Sequence, residues 1–130
     1  MTRRGMTILE LLVAGAALAT LMAVCLQMLS AAAAQRRATE DRQAAIREAA
    51  NLMERLGTVP FDRLTPEGVG TVQLSGEARR ALPDAELQIQ LSSPPGQPEA
   101  KRIVVLLRWR DRTGRFLRPV RLVAWRYQGI

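Results

Sequence analysis

Arg3-Arg4-Gly5-Met6-Thr7-Ile8-Leu9-Glu10, followed by an apolar run from Leu11 to Leu29, decides the fold of this 130-residue chain. The run is 19 residues long. At ~1.5 Å of rise per residue, a helix of that length crosses roughly the ~30 Å hydrocarbon core of a bilayer. Arg3 and Arg4 flank its short N-terminal side, which favours a cytoplasmic N-terminus and sends the remainder of the chain outward. Glu10 is the anomaly, because an ionised carboxylate at the edge of hydrocarbon costs several kcal/mol unless a partner neutralises it.

Composition narrows the function classes. The single cysteine, Cys25, lies inside the apolar run, so no intramolecular disulfide can form. With no histidine and no second cysteine, there is no His-based general acid or metal site and no further cysteine to replace it. The chain reads as a non-enzyme without a cofactor. Net charge is +7, and residues 101–130 alone carry +8 against −3 for residues 57–100.

Past the apolar run the helix continues. Gln35 to Leu56 contains no Gly or Pro, and Ala38, Ala45, Ala49, Leu52 and Leu56 fall on one stripe at helical spacing. Ile46 and Met53 lie beside the stripe and Arg42 interrupts it, while Gly57 and Pro60 supply the stop signal. Six of seven prolines lie between 57 and 100, a loop-rich stretch in which Thr71 to Ser75 reads as a short strand. Leu87, Ile89 and Leu91 alternate with polar residues as a half-buried strand does. Ile103 to Trp109 and Phe116 to Tyr127 read as two further strands, joined by the turn Asp111-Arg112-Thr113-Gly114, with Pro119 making the last one an edge or bulged strand. Trp109 and Trp125 sit at strand positions that favour a core role. The hairpin tip with Arg112 and Arg115 reads as far from the membrane. The predicted fold class is α+β: a long N-terminal helix, transmembrane in its first half, packed under a small antiparallel sheet.

A glycine, a five-residue segment ending in Glu, and then an apolar helix resemble the class III signal of type IV prepilins and type II secretion pseudopilins. The resemblance implies a leader peptide at 1–5, cleavage between Gly5 and Met6 by an inner-membrane prepilin peptidase, and N-methylation of Met6. It further implies that Glu10, the fifth mature residue, sets subunit register by neutralising the N-terminal amine of a neighbouring subunit. Met6 departs from the phenylalanine usual in the family. The helix end from Ala44 to Glu54, followed by Pro60-Phe61, is similar to that of I-type minor pseudopilins and V-type minor pilins. The acids Asp62, Glu67, Glu77, Asp84 and Glu86 lack the spacing of the calcium loop that ends the major pseudopilin.

The implied organisation is a transmembrane, filament-core helix over 6–34, an amphipathic extension over 35–57 and a periplasmic head over 58–130. The protein would be a single-pass inner-membrane minor pseudopilin of a type II secretion-like system. Its partners would be major and minor pseudopilins, the peptidase and the inner-membrane assembly platform, with no nucleic acid. Two other classes stay open. One is a minor type IV pilin of a pilus or DNA-uptake machine, which the basic C-terminal end could serve. The other is a secreted or anchored domain of unrelated role: Ala31 to Ala34 offer a signal-peptidase-like site, although the apolar run exceeds the usual ~7–15-residue signal core.

Overall fold

Thr7 and Glu10 start the first helix, and Gly57 ends it. The computed structural model describes residues 5–129, so Arg3 and Arg4 of the expected leader lie outside the described residues. Helix α1 runs Ile8–Gly57 without interruption, as the absence of proline from that stretch allows. The chain divides into two compact units, with the boundary between Arg37 and Ala38.

In the first unit every described side chain from Gly5 to Arg37 is exposed. Leu11, Leu12, Leu18, Leu21, Leu26 and Leu29 each leave 59–67% of their surface open. A helix apolar on all sides has no single core-facing stripe and suits a wholly apolar surrounding. This stretch of α1 is long and apolar enough to cross a membrane.

In the second unit the C-terminal part of α1 is amphipathic. Ala45, Ala49, Leu52 and Leu56 are buried and belong to one core cluster with Leu64, Leu82, Ile103, Val105, Leu107, Trp109 and Val120. The stripe read from the sequence is therefore the buried face from Ala45 onward, whereas Ala38 stays exposed. Ile46, expected beside the core, is 45% exposed. At that point of the turn the core-facing position is taken by Glu48, 7% exposed.

The sheet has three antiparallel strands in the order β1-β2-β3, namely β1 (Glu86–Ser92), β2 (Ala100–Arg108) and β3 (Val120–Tyr127). Leu87, Ile89 and Leu91 pair with Leu107, Val105 and Ile103, and Val105 and Ile103 pair in turn with Leu122 and Ala124. Alternation along each strand sends these residues to the face that joins the core cluster. The opposite face carries Gln88 and Gln90, Val104 and Leu106, and Arg121, Val123, Trp125 and Tyr127. The fold is α+β, with one long apolar N-terminal helix and a small antiparallel sheet.

Two expectations need correction. Thr71 to Ser75 is not a strand; it connects two short helices, α2 (Pro66–Gly70) and α3 (Gly76–Ala81). The Thr65 hydroxyl accepts the Gly68 N–H at 3.1 Å and the Ser75 hydroxyl accepts the Ala78 N–H at 3.1 Å. Side-chain caps thus turn proline- and glycine-rich chain into helix. Trp125 is not core: it lies on the outer sheet face, 48% exposed, while Trp109 is 1% exposed. A shift of one residue along a strand reverses the face, and Trp125 pairs with Arg102 on the outer side. The hairpin tip lies against the second unit's part of α1: the Arg42 guanidinium donates to the Arg118 carbonyl at 3.2 Å, and Arg112 lies close enough to Asp41 to act on its ionisation.

Candidate functional site

The segment Gly5 to Glu10 holds all the site residues read from the sequence. Glu10 and Thr7 cap α1 reciprocally: the Thr7 N–H donates to the Glu10 carboxylate at 2.9 Å, and the Glu10 N–H donates to the Thr7 hydroxyl at 3.2 Å. Two of the four N–H groups that a helix start leaves unpaired are thereby satisfied. The negative charge also sits at the positive end of the helix dipole. Thr7 was not singled out from the sequence, although Thr-x-x-Glu ahead of an apolar run is the spacing of a capping box.

Gly5 and Met6 precede the helix, outside any helix or strand. A Cβ added to Gly5 would meet no described atom within 4 Å. Met6 is 70% exposed.

The basic C-terminal segment forms a second candidate surface, and much of its charge is engaged within the fold. Lys101 Nζ donates to the carbonyls of Phe61 and Leu64, each at 2.8 Å, and lies 4.3 Å from the centre of the Phe61 ring. Arg126 donates to the Val59 carbonyl at 3.2 Å. These two cations bind the chain after α1 to the sheet. Arg108 pairs with Glu86, and the Arg108 and Arg110 guanidiniums lie over the Phe116 ring at 4.4 and 4.1 Å. Arg110 also donates to the Gly114 carbonyl at 2.8 Å.

Asp111 organises the tip. Its Oδ1 accepts from the Thr113 hydroxyl at 2.5 Å, the Thr113 N–H at 2.8 Å and the Arg115 N–H at 3.0 Å. The Thr113 hydroxyl is the main reason that its pKa is lowered, with the Arg115 N–H next. Gly114 completes the turn at φ 82°, a left-handed conformation that glycine adopts readily. Asp41 has a raised pKa because partial burial disfavours its charge and Glu40 adds repulsion, with Arg112 acting the other way.

No protein family matches this chain, nor does any characterised protein or solved structure with which it was compared.

Glu48 is a polar residue of the core that the sequence did not mark. Its carboxylate accepts the Ser75 N–H at 2.7 Å and the Ser75 hydroxyl at 3.0 Å, while that hydroxyl caps α3. One carboxylate therefore holds α3 against α1. Among the described residues no group of three His, Cys, Asp or Glu side chains could hold a metal ion.

Proposed function

We propose that the protein is a minor pseudopilin of a type II secretion-like system, processed by prepilin peptidase and assembled into a periplasmic pseudopilus that drives protein export. The observation that carries this reading is Gly5. A Cβ there would meet no described atom within 4 Å, and Gly5 stands five residues ahead of Glu10 at the head of a 50-residue helix. A narrow peptidase site that excludes side chains accounts for a glycine at this position.

A cut between Gly5 and Met6 leaves Thr7 and Glu10 together on the mature chain. The capping box survives processing, and Glu10 remains at the helix start, where the new amine of Met6 or that of a neighbouring subunit can reach it. The exposed apolar surface of the first unit suits a bilayer before assembly and neighbouring helices after it. In this reading the N-terminus is cytoplasmic and the head periplasmic.

Exposed Trp125 and Tyr127, 48% and 47% open, on the sheet face that also carries Arg121 and Arg102, favour a second reading as a minor pilin of a DNA-uptake machine. Aromatic and arginine side chains on an open sheet face can stack on bases.

Mass spectrometry of the full chain expressed with a prepilin peptidase tests the leading reading. The expected mature protein lacks residues 1–5 and carries one methyl group on Met6, and Gly5→Val abolishes both changes. A mature start near Gln35 would replace this reading with that of a secreted domain.

A further inference from the structure

The two edge strands of the sheet carry backbone groups that this chain does not use. Gln128 N–H donates to the Glu99 carbonyl at 2.8 Å, which continues the register that pairs Ala100 with Tyr127. Bonded and non-bonded pairs alternate along an antiparallel ladder. The pairs Lys101–Arg126, Ile103–Ala124 and Val105–Leu122 are therefore bonded, and Arg121, Val123, Trp125 and Tyr127 turn their N–H and C=O groups away from β2. By the same alternation β2 bonds to Gln88 and Gln90 of β1 and leaves those of Leu87, Ile89 and Leu91 pointing outward. Among the described residues, none of these outward groups bonds to a residue beyond the sheet.

An unpaired edge is a template for another strand, and its side chains choose the strand. β1 and β3 both run antiparallel to β2, so β3 of one copy meets β1 of a second copy as a parallel pair when both heads point the same way. Full overlap sets Arg121 opposite Glu86 of the second copy, Val123 opposite Gln88, Trp125 opposite Gln90 and Tyr127 opposite Ser92. On the outer face the one charge of β3 thus meets the one charge of β1, an attractive cross-strand pair. On the inner face Leu122 falls opposite Leu87 and Ala124 opposite Ile89, all four only partly buried in the single copy. A cleft of about 370 Å³ opens beside Leu87, lined also by Val72, Gln73, Leu74, Arg79 and Ala85, and Leu122 of the neighbouring copy is the side chain placed to enter it.

Pairing β3 with β3 of another copy lacks this match. It joins two strands that each carry Arg121 and Arg126 and no acid. It also reverses the helices. Arg42 donates to the Arg118 carbonyl and Arg126 to the Val59 carbonyl, each at 3.2 Å, so β3 runs in the same sense as the second unit's part of α1. Antiparallel β3–β3 pairing opposes the two helix segments, whereas β3–β1 pairing keeps them in one sense, as a filament built from one repeated step requires.

We propose that β3 of one head adds to β1 of the next, a second copy of this chain, so that the sheet continues across subunits with Arg121 and Glu86 fixing the register. The contact is heterologous and leaves one free edge at each end, so it can repeat without closing. The choice of helix sense rests on the filament assembly proposed above, and the matching of charge and apolar side chains stands apart from it.

The test uses the full chain with Cys25→Ser in detergent. One preparation carries Val123→Cys and the other Gln88→Cys, and the two are mixed under mild oxidation. Opposed residues on neighbouring strands lie ~4.8 Å apart, inside the ~4.4–6.8 Å Cα range that a disulfide bridges. The expected product is a disulfide-linked dimer with one chain of each kind. Its yield should be at least about fivefold above that of Tyr127→Cys with Gln88→Cys, whose Cα atoms lie ~14 Å apart in this register. Arg121→Glu in the first chain should abolish the excess, and Glu86→Arg added to the second chain should restore it. No linked dimer, equal yields from the aligned and staggered pairs, or an excess indifferent to Arg121→Glu overturns the proposal. A linked dimer of Ala124→Cys alone overturns it in favour of β3–β3 pairing, whose fullest overlap sets Ala124 against itself. Linkage by a chain that prepilin peptidase leaves uncut keeps the edge contact and discards the pseudopilin reading. Unchanged thermal unfolding of each reduced variant verifies its fold, and Trp125→Cys with Gln90→Cys replaces the aligned pair if Val123→Cys shifts it.

Discussion

The two ends of α1 share one secondary structure and have opposite surroundings. From Leu11 to Leu29 the helix exposes leucine after leucine, whereas from Ala45 to Leu56 it buries alanine, glutamate and leucine on a single side. Backbone hydrogen bonding is the same in both. What differs is where the partner surface lies: the second half finds it within its own chain, and the first half must take it from a bilayer or from other helices. Helix formation alone is thus weak information about function. The distribution of apolar side chains around the axis is strong information.

The largest effect that separates the two halves comes from Leu52→Ala. Leu52 is fully buried in the core cluster, and such truncations cost about 2–5 kcal/mol. Denaturant unfolding of the detergent-solubilised chain, followed by Trp109 fluorescence, should show a loss of that size. Leu21→Ala, 61% exposed in the wild type, should leave the same midpoint unmoved. A comparable loss from Leu21→Ala would break the comparison.

Glu48→Ala comes next. It leaves the Ser75 N–H without its acceptor and frees α3 from α1, a loss of about 1–3 kcal/mol. The same unfolding measurement reads it, and Glu48→Gln should recover part of the stability because an amide oxygen can still accept one bond.

Thr7→Ala sharpens the comparison from the other side. Loss of a threonine cap costs about 0.5–2 kcal/mol of helix stability. Because the Thr7 hydroxyl accepts from the Glu10 N–H, the change should appear as faster amide exchange at residues 8–11 with no shift in the unfolding of the head. A shift in the head would mean that the two units do not melt independently.

The smallest effect is at Asp111, in the surface turn of the hairpin tip. Its pKa is lowered in the folded state, so its stabilising contribution is present above the unfolded-state value of about 3.9 and is lost as the pH falls through the lower folded value. Asp111→Asn should therefore be slightly less stable than wild type at pH 7. The gap should narrow below about pH 4, as measured by thermal unfolding at several pH values. A gap independent of pH would mean that turn geometry, not charge, is what the carboxylate supplies.

Much of the fold was legible because it depends on one-dimensional patterns. The end of α1 at Gly57, the Leu87-Ile89-Leu91 strand and the Asp111-to-Gly114 turn each follow from spacing or local turn chemistry. The candidate site was legible for the same reason, since Gly5, Met6 and Glu10 occupy fixed offsets along the chain. The errors arose where two segments distant in sequence had to meet. Trp125 faces outward because its register against Arg102 is set by pairing between strands, and Thr71 to Ser75 lost its strand because Ser75 is drawn to Glu48, 27 residues earlier.

The sequence by itself determined the long helix, its apolar first half, the amphipathic stripe, the hairpin turn and the positions of Gly5 and Glu10. All of these follow from local propensity, periodicity and charge. Only the tertiary structure decided that Glu48 is a core residue, that Lys101 and Arg126 hold loop carbonyls, and that the arginine-rich tip returns to Asp41 and Arg42 where the chain enters the head. Those outcomes depend on which surfaces meet once strands pair and pack. The free energy of such meetings belongs to pairs of residues far apart along the chain and is carried by no single stretch of it.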